Sequence, residues 1–251
     1  MSEVSKIALI TGANKGIGFE IARQLGAQGI TIFVGARDQA RGEAAVEHLR
    51  AQGIDARALY LDVTKQATID AAASLIEQTY GKLDILVNNA GVNVDTSERD
   101  EGTPTPPSQV ALEDMREIFE TNVFGVFAVT KAMLPLLRRS EAGCIVNLSS
   151  EMGSMSRRSD PTSEVAQYPP SLAYDASKAA VNSMTVSFAK ELRDTPLKIN
   201  AVGPGYVSTD MNYHRGYLTP EQGARAPVAF ATLPADGPSG GFFKEEGVLP
   251  W

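Results

Sequence analysis

Six short apolar runs rich in β-branched residues, KIALIT, TIFVGA, ARALYL, LDILVNN, CIVNLS and KINAVG, recur along the chain, and helix-length segments separate the first four. Those segments, GIGFEIARQLGAQG, QARGEAAVEHLRAQG and KQATIDAAASLIEQTYG, carry apolar residues at helical spacing and end near glycine, a frequent helix stop. Strands apolar on both faces belong inside a covered sheet, and alternation with helices makes such a sheet parallel. The pattern predicts an α/β fold of the Rossmann type: a doubly wound parallel sheet of about seven strands with helices on both faces. No repeat and no linker interrupts it, so residues 1–251 read as a single domain, with surface loops at Thr103–Ser108, Asp160–Ser171 and Pro234–Gly241.

Composition removes several function classes. A formal net charge of -7 works against a nucleic-acid partner, which needs clustered Lys and Arg. No apolar run reaches the ~18 residues that cross a bilayer, and the opening MSEVSKIALI is too short and acidic for a signal peptide. The lone Cys144 excludes an intrachain disulfide framework and, inside an apolar strand, reads as an inert buried thiol. With only two histidines, far apart, no metal site is expected; His48 and His214 read as surface residues. The expectation is a cytoplasmic enzyme acting on a small molecule, without nucleic acid, membrane or metal.

The first strand runs into Thr11-Gly12-Ala13-Asn14-Lys15-Gly16-Ile17-Gly18 and then an amphipathic helix. Glycine at 12 permits a tight turn, at 16 a close approach of backbone to pyrophosphate, and at 18 close packing of helix on strand. The helix N-terminus then directs unpaired N–H groups at the phosphates. At the end of the second strand an NAD site would hold an acid for the ribose 2'-hydroxyl. This chain has Val34-Gly35-Ala36-Arg37 there, with Lys15 able to reach the same corner, and two cations suit a 2'-phosphate. NADP(H) is therefore the expected cofactor. Asp62 and Val63, closing the third strand, are placed to meet the adenine, although Asp62 could equally cap a helix.

The ordered motifs TGANKGIG at 11–18, Asp62, NNAG at 88–91, Asn122 in TNVFG, NLSS at 147–150, YDASK at 174–178 and PGYVSTDM at 204–211 span nearly the whole chain. Together they resemble the short-chain dehydrogenase/reductase family in its compact branch, most of all its carbonyl reductases and plant menthone- or salutaridine-type reductases. The resemblance implies that Gly12, Asn14, Gly16, Ile17 and Gly18 bind pyrophosphate and the neighbouring ribose. It likewise implies that Asp62 and Val63 bracket adenine and that Asn89, Ala90 and Gly91 line the cofactor. Asn122, Ser150, Tyr174 and Lys178 would form the catalytic set, Tyr174 and Lys178 also touching the cofactor. Pro204, Gly205, Val207 and Thr209 would hold the nicotinamide carboxamide. Ser150, at the end of its run, is favoured over Ser149.

Hydride arrival at a carbonyl carbon leaves negative charge on oxygen, so a proton donor must sit beside that oxygen. A free tyrosine has a pKa near about 10, and Lys178, one helical turn after Tyr174, is expected to lower it. Ser150 would hold the substrate oxygen, and Asn122, within a long helix, would anchor a proton-carrying water. The expected activity is reversible NADPH-dependent reduction of ketones and aldehydes. The rivals are a catalytically idle NADPH-binding sensor and a nucleotide-sugar epimerase or dehydratase.

Compact relatives have their serine nearer the tyrosine; here residues 153–171, polar and proline-rich, read as an inserted loop over the substrate side. That loop, the segment Tyr206–Tyr217 and the loop Val92–Pro107, with Asp95, Glu98, Asp100 and Glu101, are expected to wall the pocket. Met152, Met155, Tyr168, Tyr206, Met211 and Tyr213 are the candidate lining for a mainly apolar carbonyl substrate. The insert and the ending GGFFKEEGVLPW favour a monomer or homodimer over a tetramer.

Overall fold

In a computed structural model, which describes residues 5–94, 96–97 and 103–251, every one of the six apolar runs forms a strand. Asp95, Glu98, Asp100 and Glu101 lie outside the described residues. The strands are β1 (Ile7–Thr11), β2 (Thr31–Ala36), β3 (Ala56–Tyr60), β4 (Ile85–Asn88), a small ribbon β5 (Thr96–Ser97) with β6 (Thr103–Pro104), β7 (Cys144–Leu148), β8 (Lys198–Val202), β9 (Phe242–Lys244) and β10 (Gly247–Val248). The main sheet has the order β10-β9-β8-β7-β4-β1-β2-β3 and is parallel except for β10. Eight strands therefore replace the seven or so expected. The additional edge pair comes from the tail, where Phe243 and Lys244 pair with Val248 and Gly247.

Side chains alternate across the strands and build two cores. Ala8, Ile10, Ile32 and Val34 face α1 (Gly16–Gly26), α2 (Gln39–Arg50) and α8 (Pro220–Ala231) through Ile21, Leu25, Val46, Leu49 and Val228. Ile7, Leu9, Phe33 and Ile145 face the other layer: α3 (Gln66–Tyr80), α5 (Val126–Leu137) and α7 (Leu172–Leu192), through Ile69, Ile76, Val129, Met133 and Leu192. With α4 (Leu112–Phe119) and α6 (Met155–Ser159) among the connections, this is one α/β unit with helices on both faces. No helix among the described residues is long and apolar enough to cross a membrane.

Winding reverses at β1: β2 lies on one side and β4 on the other, so a crevice opens beyond the carboxyl ends of β1 and β4, where ligands of open α/β sheets bind. The segment 153–171 departs from its expected form as a loop. It folds into α6 and a 3-10 turn at Glu164–Gln167. Ser154 caps α6 by accepting from Arg157 N at 3.2 Å, and the chain's end is docked on it, Ser154 Oγ donating to Pro250 O at 2.6 Å and Ser156 N to Trp251 O at 2.8 Å.

Candidate active site

The glycine turn is held rigidly from the β4 side. Asn89 Nδ2 donates to Thr11 O at 2.8 Å and Gly12 O at 3.1 Å, while Thr11 Oγ1 accepts from the N–H groups of Asn89 and Ala90. Gly12 and Gly16 lie in the left-handed region at φ 63° and 58°, which glycine enters without strain. A side chain at Gly18 would place Cβ 2.4 Å from Asn89 Nδ2 and 2.6 Å from Gly12 O. Helix α1 starts without a side-chain cap and without an acid in its first turn, leaving its N–H groups and dipole for an anion. Across the crevice stands Thr209, its methyl 3.8 Å from where a Gly16 Cβ would be. Asn14 and Ile17, both part-buried, lie in the same turn.

Arg37 is exposed at the end of β2, and the acid that follows it is occupied elsewhere: Asp38 caps α2 through Arg41 N at 3.0 Å. Lys15 does not stand free beside Arg37; its ammonium pairs with Asp210 beyond Thr209, and Asp210 also meets His214 at 3.0 Å. Bonds and charge from Lys15 hold the Asp210 carboxyl below its ordinary range. Asp62 is not a helix cap, since Lys65 occupies that position; it turns back to Thr64 N at 3.1 Å and Thr64 Oγ1 at 2.7 Å. Burial alone would raise its carboxyl, but the bonds from Thr64 and Lys65 bring it below the usual value. Val63, buried beside it, packs where a Gly125 side chain would otherwise intrude.

The four catalytic candidates converge. Tyr174 and Lys178 are one turn apart in α7, and Lys178 Nζ lies 5.5 Å from the centre of the Tyr174 ring. Lys178 is buried and donates to Leu148 O at 2.9 Å. The Ser150 hydroxyl is hydrogen-bonded with the Tyr174 phenol and also accepts from Met152 N at 3.2 Å, so its capping role and its place beside the phenol coexist. Ser149 points the other way: it is buried and donates to Asn182 Oδ1 at 2.6 Å. Asn122 sits in a π-helical stretch, Glu120–Gly125, joining α4 to α5, the kind of irregularity frequent at functional sites. Its side chain exchanges bonds with Val92 N at 2.8 Å and Val92 O at 2.9 Å and donates to Ser177 Oγ at 3.1 Å, and Ser177 in turn bonds Tyr174 O. Gly91 keeps a gap open there, since its Cβ position is 3.3 Å from Asn122 Oδ1 and 3.7 Å from Lys178 Nζ.

The expected acidic phenol is corrected. Burial pushes Tyr174 up to about 12; the Ser150 bond pulls it down and the Asp175 carboxylate pushes it further up. Burial also holds the Lys178 ammonium down to about 8. The ammonium lies over the ring face and bonds a carbonyl, and burial of the phenol is the largest influence on it.

In the segments expected to wall the pocket, Tyr168 and Tyr206 come together at 6.5 Å between ring centres, and Tyr217, not foreseen individually, adds to Tyr206 at 6.0 Å. Met155, Met211 and Tyr213 are exposed, Met152 half-buried. Tyr213 and His214 are the positive-φ residues other than glycine among those described, at 52° and 59°. Gly205 is left-handed too, at φ 82°, and Val207 is buried and bridges to Leu218. Pro204 is half-buried next to them. Thr11 and Asp210 were not singled out as site residues, although Thr11 opens the glycine motif and Asp210 lies within PGYVSTDM.

Sheet winding and crevice together place the chain among the α/β proteins built like dinucleotide-binding oxidoreductases. Residues 6–216 match the family model for short chain dehydrogenases, and the chain belongs to the short-chain dehydrogenase/reductase family. It is 36% identical to (-)-isopiperitenone reductase of Mentha piperita over 99% of this chain and 99% of that protein. Salutaridine reductase from Papaver somniferum has a similar structure, TM-score 0.83, at 34% identity, covering 96% of this chain and 99% of that one. An NADPH-bound carbonyl reductase from chicken fatty liver gives TM-score 0.82 at 26% identity, covering 99% and 100%. The chain is thus an oxidoreductase whose relatives include reductases of small molecules.

Proposed function

We propose that this chain is an NADPH-dependent reductase of ketones and aldehydes, running reversibly as an alcohol dehydrogenase, with Tyr174 as the proton donor. One observation carries the reading: the Tyr174 phenol bonded to Ser150, its ring covered by the Lys178 ammonium, at the carboxyl edge of the sheet. The cofactor fits the residues present. The uncapped N-terminus of α1 behind Gly16 suits a pyrophosphate, and Arg37, with Asp38 occupied in capping α2, suits a 2'-phosphate. Asp62, Val63, Asn89, Ala90 and Gly91 would line the adenosine and ribose, and Pro204, Gly205, Val207 and Thr209 the nicotinamide. NADPH bound there supplies the hydride.

The chain's own groups manage the oxygen. Ser150 donates to the carbonyl oxygen and holds it beside the Tyr174 hydroxyl, which transfers its proton as negative charge accumulates. A phenol pushed up to about 12 stays protonated at neutral pH, which suits an acid in the reducing direction. The phenol regains its proton from solvent by way of the Lys178 ammonium, and Asn122, across Gly91 from that ammonium, would anchor the water that delivers it. The test is NADPH consumption, followed optically, with aryl ketones, diketones and aldehydes. NADPH is consumed with several of them, and NADH far more slowly. Tight NADPH binding without turnover on the whole panel, or faster use of NADH, contradicts the proposal.

A further inference from the structure

Arg158 lies in α6, in the segment between Ser150 and Tyr174, and its guanidinium reaches two separate pieces of chain. It meets Asp175 Oδ2 at 3.2 Å, in the first turn of α7 and adjacent to Tyr174, and donates to Val165 O and, at 2.9 Å, to Tyr168 O. The pair is nearly enclosed, with side chains 14% and 16% exposed. Enclosed charges are costly to leave unpaired, so this contact fixes geometry in a way that surface pairs do not. The planar fork serves the carboxylate with one nitrogen and both carbonyls with the other, a fixed geometry that a compact lysine ammonium matches less well.

The backbone that Arg158 holds carries Tyr168, the first ring of a line of three. Tyr168 faces Tyr206 at 6.5 Å with planes 43° apart, and Tyr206 faces Tyr217 at 6.0 Å and 66°. All three rings are exposed, so they are not core. They join the segment leading into α7, which carries Tyr174, to the segment leaving β8. Exposed aromatic rings in a row offer faces and edges to another ring.

We propose that Arg158 is a positioning residue for substrate selection: it ties Tyr168 to the helix of Tyr174, and the Tyr168–Tyr206–Tyr217 rim so held favours carbonyl substrates bearing an aromatic ring. The inference rests on the reductase reading above.

Acetophenone and cyclohexyl methyl ketone, close in size, differ in whether the ring is aromatic. With NADPH, the ratio of their kcat/KM values reports the rim. Arg158→Met lowers that ratio about tenfold, chiefly through a raised KM for acetophenone. Tyr168→Leu lowers it similarly, and the double variant loses no more than Tyr168→Leu alone, because Arg158 acts through Tyr168. Arg158→Lys, keeping charge without the fork, recovers part of the loss. Tyr217 is 73% exposed, so Tyr217→Leu leaves packing intact; it lowers the ratio by itself and, with Arg158→Lys, carries the test should Arg158→Met melt early. An unchanged ratio in Tyr168→Leu and Tyr217→Leu overturns the rim. Losses that multiply in the double variant overturn the link through Arg158. A wild-type protein that binds NADPH yet turns over none of the carbonyl compounds defeats the reductase reading itself.

Discussion

Replacing Gly18 by alanine puts a single methyl group against the lock that shapes the cofactor turn. Its Cβ would sit 2.4 Å from Asn89 Nδ2, 2.6 Å from Gly12 O and 3.0 Å from Ala13 Cα, and both oxygen and Cα belong to backbone that cannot swing aside. Asn89 must retreat and give up its bonds to Thr11 O and Gly12 O. Two such bonds contribute about 1 kcal/mol each, and overpacking adds roughly 1–3 kcal/mol. The gain from alanine in a helix offsets about 1 kcal/mol, leaving a net loss of roughly 2–4 kcal/mol. For a chain of this size that is a fall in Tm of about 5–15 °C, with NADPH binding weakened at least about tenfold because the displaced turn no longer presents its N–H groups. Thermal melts followed by circular dichroism, with NADPH titrations, measure both. Gly203→Ala is the control, since its Cβ meets nothing nearer than 3.7 Å. A Gly18→Ala protein melting within about 2 °C of the parent and binding NADPH equally well would refute the packing argument.

Ser150→Ala removes the partner of the phenol and lowers kcat by about a hundredfold, whereas Ser149→Ala breaks the bond to Asn182 and costs about 1 kcal/mol of stability with little change in kcat, as steady-state kinetics and denaturant melts would show. Arg37→Ala raises the KM for NADPH by about 10–100-fold and leaves NADH use nearly unchanged, which assays with both cofactors at matched salt would register. Because Tyr174 is held up at about 12, its phenolate fraction grows with every pH unit through the neutral range; alcohol oxidation in kcat/KM therefore climbs from pH 6 to 8, while reduction, which uses the protonated phenol, stays level there. Lys178, held down to about 8, loses its charge above that pH, so the climb slackens beyond it. An oxidation rate already at its plateau at pH 7 contradicts this assignment.

The parts legible in the sequence were those encoded locally. Each of the six apolar runs became a strand, and the ordered motifs brought Ser150, Tyr174, Lys178 and Asn122 to one place because each follows directly from the end of a strand or the register of a helix. Strand β9 and the edge strand β10 escaped because Phe242–Lys244 and Gly247–Val248 are too short and glycine-flanked to show alternation. The segment 153–171 looked like a loop from its prolines and polar residues; Ser154 caps α6 locally, and Pro250 and Trp251, from far along the chain, dock on it. The same limit explains Lys15, whose partner Asp210 lies 195 positions away. It also explains the phenol of Tyr174, on which burial by the surrounding protein has the largest effect.

The most direct test is Tyr174→Phe, which deletes one oxygen and leaves ring and helix in place. NADPH titration and turnover on the best carbonyl substrate are measured on the same preparation. NADPH affinity stays within about twofold of the parent while kcat falls by about a thousandfold or more. A phenylalanine variant that keeps a tenth or more of the parent's kcat contradicts the assignment of the proton donor.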